Sequence, residues 1–142
     1  MMKLALALLS ISLIFACTPE KKAPAPDKGA HATAPGPNGG KVVEVGAHLA
    51  HLEILHDEKA GTITIYVFDK DIKTPMALAK APEIKLSTME GPVVLPTKAV
   101  DDKNLSFTVT HDALKAHGPE GRISLELGGK PYNPALPHMD NH

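Results

Sequence analysis

The stretch HLAHLEILHDEKAGTITIYVF, residues 48–68, decides the fold. Its first part, residues 48–56, and its last part, residues 62–68, are rich in aliphatic and β-branched side chains, and the polar cluster DEKAG separates them. Two such runs on either side of a turn signal are typical of a β-hairpin. We therefore predict that residues 48–56 and 62–68 form two paired antiparallel strands.

Shorter segments on both sides of this hairpin follow the same pattern. Further strands are predicted at residues 41–45, 83–88, 92–100, 105–110 and 121–129. Pro96 interrupts the 92–100 segment, and because proline cannot donate a ladder hydrogen bond, this segment is expected at a sheet edge. Residues 111–118 favour a short helix that ends at Gly118. About seven short strands with one short helix predict an all-β fold, an antiparallel β-sandwich.

The N-terminus reads MMKLALALLSISLIFAC, in which a lysine precedes an uncharged run from Leu4 to Ala16. As a helix this run spans only about 20 Å, less than a hydrocarbon core of about 30 Å, so it indicates a signal peptide and not a membrane span. Ile14-Phe-Ala-Cys17 resembles a bacterial lipobox, which predicts a signal peptide at residues 1–16 and lipidation of Cys17. Thr18 follows Cys17 where aspartate would favour inner-membrane retention, so an outer-membrane anchor on the periplasmic side is expected. The alternative is an ordinary secreted protein with one free thiol.

The rest of the chain divides by composition. Residues 17–38 contain five prolines and few bulky apolar side chains, which predicts a tether from the lipidated Cys17. Residues 39–130 are predicted to form the β-sandwich domain, since about a hundred residues suffice for one core. Residues 131–142 are predicted to form an extended, histidine-containing tail.

Composition and motifs argue against two classes of function. The formal net charge is −1 and no basic face is evident, so a nucleic-acid partner is not expected. No serine lies in a Gly-x-Ser-x-Gly elbow, no glycine-rich phosphate loop is present, and Cys17 ceases to be a free thiol once it is acylated. The chain is therefore not expected to be an enzyme.

The eight histidines point instead to metal binding. Residues two apart on a strand share a face, so His51 and Glu53 are predicted to project together, with His48 and His56 on the opposite face at the strand ends. An imidazole and a carboxylate are both transition-metal ligands. The alternatives are a solvated polar stripe, or a carboxylate that holds the histidine ring by a hydrogen bond.

The C-terminal tail is the second candidate. His138, Met139 and His142 offer two imidazoles and a thioether within a short segment, and short histidine-rich tracts can hold metal. The alternative is a disordered terminus whose histidines are coincidental.

Four segments of this chain together resemble a known family. They are PNGGKVVEVG (37–46), HLEILHD (51–57), GTITIYVFD (61–69) and the closing tail. They are similar to the small β-rich domain found with the periplasmic adaptor subunits of heavy-metal efflux pumps, and to its stand-alone exported relatives. The resemblance implies a metal-related function in which His51 and Glu53 match a His-x-Glu strand, and His138 and His142 match a His/Asp-rich tail. Asn38 stands where that family has a histidine.

The sequence therefore predicts a lipid-anchored periplasmic protein that binds transition-metal ions weakly, for buffering or for transfer to a metal-efflux system. The expected ligands are His51, Glu53, His138 and His142, with Met139 as a further one, and the expected ion is copper, zinc, nickel or cobalt. The expected partners are the lipid bilayer, through acylated Cys17, and components of the efflux pump. The alternative is a non-enzymatic structural or interaction lipoprotein of the envelope, without metal dependence.

Overall fold

A computed structural model describes residues 34–139. The predicted signal peptide, Cys17, most of the tether and His142 lie outside these residues. Within them the chain forms nine strands and one 3-10 helix. The strands are β1 Lys41–Val45, β2 Ala50–Asp57, β3 Thr62–Phe68, β4 Glu83–Thr88, β5 Gly91–Pro96, β6 Lys98–Ala99, β7 Ser106–Thr110, β8 Gly121–Leu127 and β9 Lys130–Tyr132, with the 3-10 helix at Asp112–Lys115. None of the helical structure among these residues is long and apolar enough to cross a membrane.

The strands form two antiparallel sheets, as the predicted β-sandwich requires. The five-stranded sheet has the order β1-β2-β3-β7-β6, and the four-stranded sheet has the order β5-β4-β8-β9. Buried aliphatic side chains from both sheets form one hydrophobic core. The fold class is therefore confirmed, with nine strands among the described residues in place of the expected seven.

The predicted hairpin of residues 48–68 is the centre of the five-stranded sheet. β2 pairs with β3 in a register that places Ile54 opposite Ile65 and Asp57 opposite Thr62. Leu52, Ile54 and Ile65 are at most 1% exposed. Burial of each such side chain contributes roughly 1.5–3 kcal/mol, so this hairpin carries a large part of the core.

The interrupted strand at residues 92–100 joins the two sheets. β5 lies at the edge of the four-stranded sheet and ends at Pro96, and β6 begins at Lys98 at the edge of the five-stranded sheet. Between them, the Thr97 hydroxyl donates to the Pro82 carbonyl at 2.6 Å. Proline thus ends one strand where the chain changes sheets, which confirms the predicted edge position.

The predicted helix at residues 111–118 is reduced to one 3-10 turn. It ends because Ala116 has an extended backbone (φ −69°, ψ 141°), and its start is capped by His111, whose Nδ1 accepts the Ala113 N–H at 3.1 Å. His117 does not lie in the helix; its Nδ1 is 2.7 Å from Glu58 Oε1. This contact ties the end of the segment to the β2–β3 turn.

The C-terminal tail packs onto the domain as far as Met139. The Leu136 N–H donates to the Gly121 carbonyl at 2.9 Å, and the Ile123 N–H donates to the Pro134 carbonyl at the same distance. Leu136 and Met139 are buried members of the hydrophobic core. The tail is therefore a structural part of the sandwich in its described portion.

Candidate metal-binding site

The turn between β1 and β2 has an unusual backbone. Gly46, Ala47 and His48 have φ values of 62°, 52° and 67°, all in the left-handed region. Gly46 is required there, because a Cβ would lie 2.7 Å from the Tyr132 ring. For Ala47 and His48 the left-handed conformation costs about 1 kcal/mol or more each. Strain of this kind is enriched at functional sites.

This turn folds His48 back toward the strands that flank it. The His48 N–H donates to Glu44 Oε1 at 2.8 Å, and the His48 Nδ1 lies 3.3 Å from Glu44 Oε2. Glu44 stands directly opposite His51 in the β1–β2 register. The His48 and His51 rings are 6.5 Å apart, centroid to centroid, and inclined by 43°. The three residues form the Glu44–His48–His51 cluster.

One potential ligand atom from each member of the cluster lies within 4.8 Å of the others. Ligand bonds of about 2.0–2.1 Å in a tetrahedral site require ligand atoms roughly 3.3 Å apart. The His48 Nδ1–Glu44 Oε2 separation of 3.3 Å already matches that spacing, and the other separations need to shorten by at most about 1.5 Å to hold an ion. The side chains of His48 and Glu44 are 77% and 40% exposed, so they are free to make that adjustment, whereas His51 is only 7% exposed.

His51 is held in a defined orientation by the loop after β3. Its Nδ1 lies 3.2 Å from the Asp69 carbonyl oxygen. A carbonyl oxygen only accepts hydrogen bonds, so Nδ1 is the donor in this contact, and in the neutral ring Nε2 then holds the lone pair that a metal ion requires. Metal-binding histidines commonly have one ring nitrogen fixed in this way by a carbonyl or carboxylate.

The Asp69 carboxylate in turn orders its own loop. Asp69 Oδ1 accepts the Asp71 N–H at 3.0 Å and the N–H groups of Lys73 and Thr74 at 3.4 Å each. Desolvation raises the pKa of Asp69, but the hydrogen bonds from Lys73, Asp71 and Thr74 outweigh it, so the pKa is lowered from its ordinary value. The carboxylate therefore stays ionised at neutral pH and holds the loop that presents the carbonyl to His51.

Glu53 has a different role from the one predicted. It projects from the same face of β2 as His51 but is 0% exposed. Its Oε1 accepts the N–H groups of Asn38 and Gly40 at 2.7 and 2.8 Å, and its Oε2 accepts the Asn38 side-chain amide at 2.8 Å. A Cβ on Gly36 or Gly40 would lie within 2.8 Å of the Glu53 side chain. Glu53 thus fastens residues 36–40 to the sheet and is not part of the cluster.

The tail residues are also separate from His51. His138 lies beside Gly118, and its carbonyl accepts a hydrogen bond from the Lys41 ammonium group. Met139 is 3% exposed and packs in the core, where its thioether is unavailable to an ion in solvent. Of the predicted ligands within residues 34–139, only His51 lies in the cluster.

Sequence reasoning missed Glu44 and His48. The strand pattern put His48 on the face opposite His51, and this prediction is wrong because His48 lies in the turn before β2 and not on the strand. Gly46 was the only signal of a left-handed turn, and a single glycine does not predict three such residues in succession. His56, near the end of β2, has another role: its Nε2 lies 2.6 Å from the Leu114 carbonyl oxygen and supports the 3-10 helix.

Comparisons of the chain with protein-family models, with curated proteins and with solved structures found no match. The geometry of the cluster and the sequence features of the chain are therefore the basis for its function.

Proposed function

We propose that this protein is a lipid-anchored periplasmic protein that binds a transition-metal ion through Glu44, His48 and His51, and that it buffers the ion or passes it to an efflux system. The observation that carries the proposal is the convergence of two imidazoles and a carboxylate, with one imidazole already held by the Asp69 carbonyl. The lipobox-like sequence that ends at Cys17 supports the anchor.

The donor set favours particular ions. Imidazole with carboxylate suits zinc, copper(II), nickel and cobalt, whereas copper(I) prefers thiolate or thioether. Met139, the one thioether expected near the site, is buried in the core. We therefore expect divalent ions to bind better than copper(I).

The exposure of the cluster favours exchange over storage. Three protein ligands leave at least one coordination position open, as in metal sites that keep a labile ligand. Two of the three ligands, His48 and Glu44, are exposed, so an acceptor with more ligands can approach the ion and replace them. This arrangement fits weak binding with transfer to a partner.

Calorimetric titration of the purified full chain in detergent with zinc, copper(II), nickel and cobalt tests the proposal. The expected result is one saturable site per chain for at least one of these ions. Absence of saturable heat at micromolar ion would contradict it and favour the alternative, a structural or interaction lipoprotein without metal dependence.

Asp69 is expected to influence metal affinity without touching the ion. Asp69→Ala removes the acceptor that orders the loop, so the carbonyl that orients His51 becomes mobile. Loss of a contact that orients a metal ligand without touching the ion typically weakens metal binding about 10–100-fold. Calorimetric titration of the variant measures the change.

Asp101→Ala is a matched control for this prediction. Asp101 also accepts backbone N–H groups, from Lys103 and Leu105, and its pKa is likewise lowered, as desolvation is outweighed by hydrogen bonds from Ser106 and these residues. It lies in the turn before β7 and makes no contact with the cluster. Equal metal affinity in the two variants would show that the Asp69 loop does not position His51.

A further inference from the structure

We infer that the groove between the four-stranded sheet and the C-terminal tail binds a small organic anion with one or two carboxylate groups. The groove has a volume of about 510 Å³ and lies on the opposite sheet from the metal cluster. That volume falls in the range of about 300–1,000 Å³ typical of small-molecule sites. This inference is independent of the proposed metal function.

Two cations stand side by side on the floor of this groove. Lys85 on β4 is directly opposite Arg122 on β8, and both side chains project from the outer face because their neighbours Ile84 and Ile123 are in the core. Like charges in directly opposite positions destabilise a sheet. Within residues 34–139 neither cation forms an ion pair, so their repulsion is not offset by a carboxylate of the described chain.

The guanidinium group of Arg122 is oriented in advance. Its Nη1 donates to the Asn133 carbonyl at 2.8 Å, which uses one of its five N–H donors and directs the others. A planar guanidinium in a fixed position matches a carboxylate by two parallel hydrogen bonds. The hydroxyl group of Ser87, which lines the groove two residues beyond Lys85 on β4, adds a further donor.

The remaining lining restricts the kind of anion. Pro92, Ala135 and Leu136 supply apolar walls, which fit the carbon skeleton of an organic molecule. Glu120 and His138 also line the groove, so with histidine counted as neutral, Lys85 and Arg122 (+2) with Glu120 (−1) give a formal net charge of +1. A monocarboxylate or dicarboxylate suits this balance better than a densely charged polyanion.

Titration of the metal-free, isotopically labelled full chain with succinate, followed by NMR, tests the inference. Chloride at equal ionic strength controls for screening, and inorganic phosphate tests whether any oxyanion suffices. The expected result is saturable shifts at the amides of Lys85, Ser87, Arg122 and Asn133 with succinate, and weaker binding of phosphate, which lacks a carbon skeleton. Shifts that are not saturable, that lie elsewhere, or that chloride reproduces would overturn the inference, as would phosphate binding at least as tight as succinate.

Variants separate a built site from general surface charge. Lys85→Gln and Arg122→Gln are each expected to weaken succinate binding about tenfold or more, since each removes a charge-assisted hydrogen bond. Arg122→Lys keeps the charge but loses the bidentate geometry, and is also expected to weaken binding. Lys98→Gln, which removes an exposed lysine from β6 in the other sheet, is the matched control and should bind as the parent does. Equal binding by all four variants would refute the site. Comparison of the NMR spectrum of each variant with that of the parent shows whether the variant folds.

Discussion

Replacement of Glu53 by alanine is expected to destabilise the domain by about 3 kcal/mol, the largest stability effect among the changes considered. The substitution leaves the buried N–H group of Gly40 and the partly buried N–H group of Asn38 without an acceptor, and a buried unsatisfied group costs about 1–3 kcal/mol. It also leaves a void where Gly36 and Gly40 pack on the side chain. Urea unfolding followed by circular dichroism measures the change.

Glu53→Gln is the matched control for this prediction. The glutamine oxygen can accept from Asn38 N and Gly40 N as Oε1 does now, and a rotated Asn38 amide can accept from the new side-chain NH₂. We therefore expect a loss of only about 1 kcal/mol. Amide hydrogen exchange at Asn38 and Gly40 should be much faster in the alanine variant than in the glutamine variant. An alanine variant within about 0.5 kcal/mol of the parent, the range of ordinary surface substitutions, would refute the structural role of Glu53.

Replacement of His51 by alanine is expected to abolish saturable metal binding, the largest functional effect. His51 is the one buried and oriented member of the cluster, so its loss removes the ligand that is held before the ion arrives. His48→Ala and Glu44→Gln remove exposed ligands and are expected to weaken binding by a smaller factor. Calorimetry gives the affinities, and the stabilisation of the parent by added metal, about 2.7 kcal/mol at a hundred times Kd, is an independent measure.

The variant His138→Ala discriminates between the ligands predicted from the sequence and the Glu44–His48–His51 cluster. The sequence grouped His138 with His51, whereas the structure places His138 beside Gly118 and separates it from the cluster. We expect metal affinity to be unchanged in this variant. A loss as large as that of His51→Ala would show that the tail supplies a ligand and that the cluster is incomplete without it.

The fold could be predicted because it follows from short-range sequence patterns, namely hydrophobic alternation and turn residues. The alternation of Ile63 and Ile65 with polar residues, and the turn cluster before Thr62, are sufficient to predict a hairpin with one buried face. Pro96 predicted an edge position because its missing N–H is a property of the residue itself. The extent of the 3-10 turn was not predictable, because it depends on contacts of His56 and His117 with distant residues.

The site could be predicted only in part. His51 was identified, because the period of a strand gives the face on which it projects. Its partners were not, because three successive left-handed residues return His48 to Glu44, and no pattern in the sequence predicts that backbone. The structural role of Glu53 was not predicted for a related reason: the amides that it binds belong to a segment whose docking depends on the packed sheet.

The sequence by itself determined the class of fold, the hairpin at residues 48–68 and a candidate histidine, since hydrophobic periodicity and turn chemistry act over a few residues. Only the tertiary structure decided which polar groups meet. The Glu44–His48–His51 cluster, the buried Glu53 carboxylate and the Lys85–Arg122 pair all depend on strand register, backbone strain and burial, which arise when the two sheets pack together.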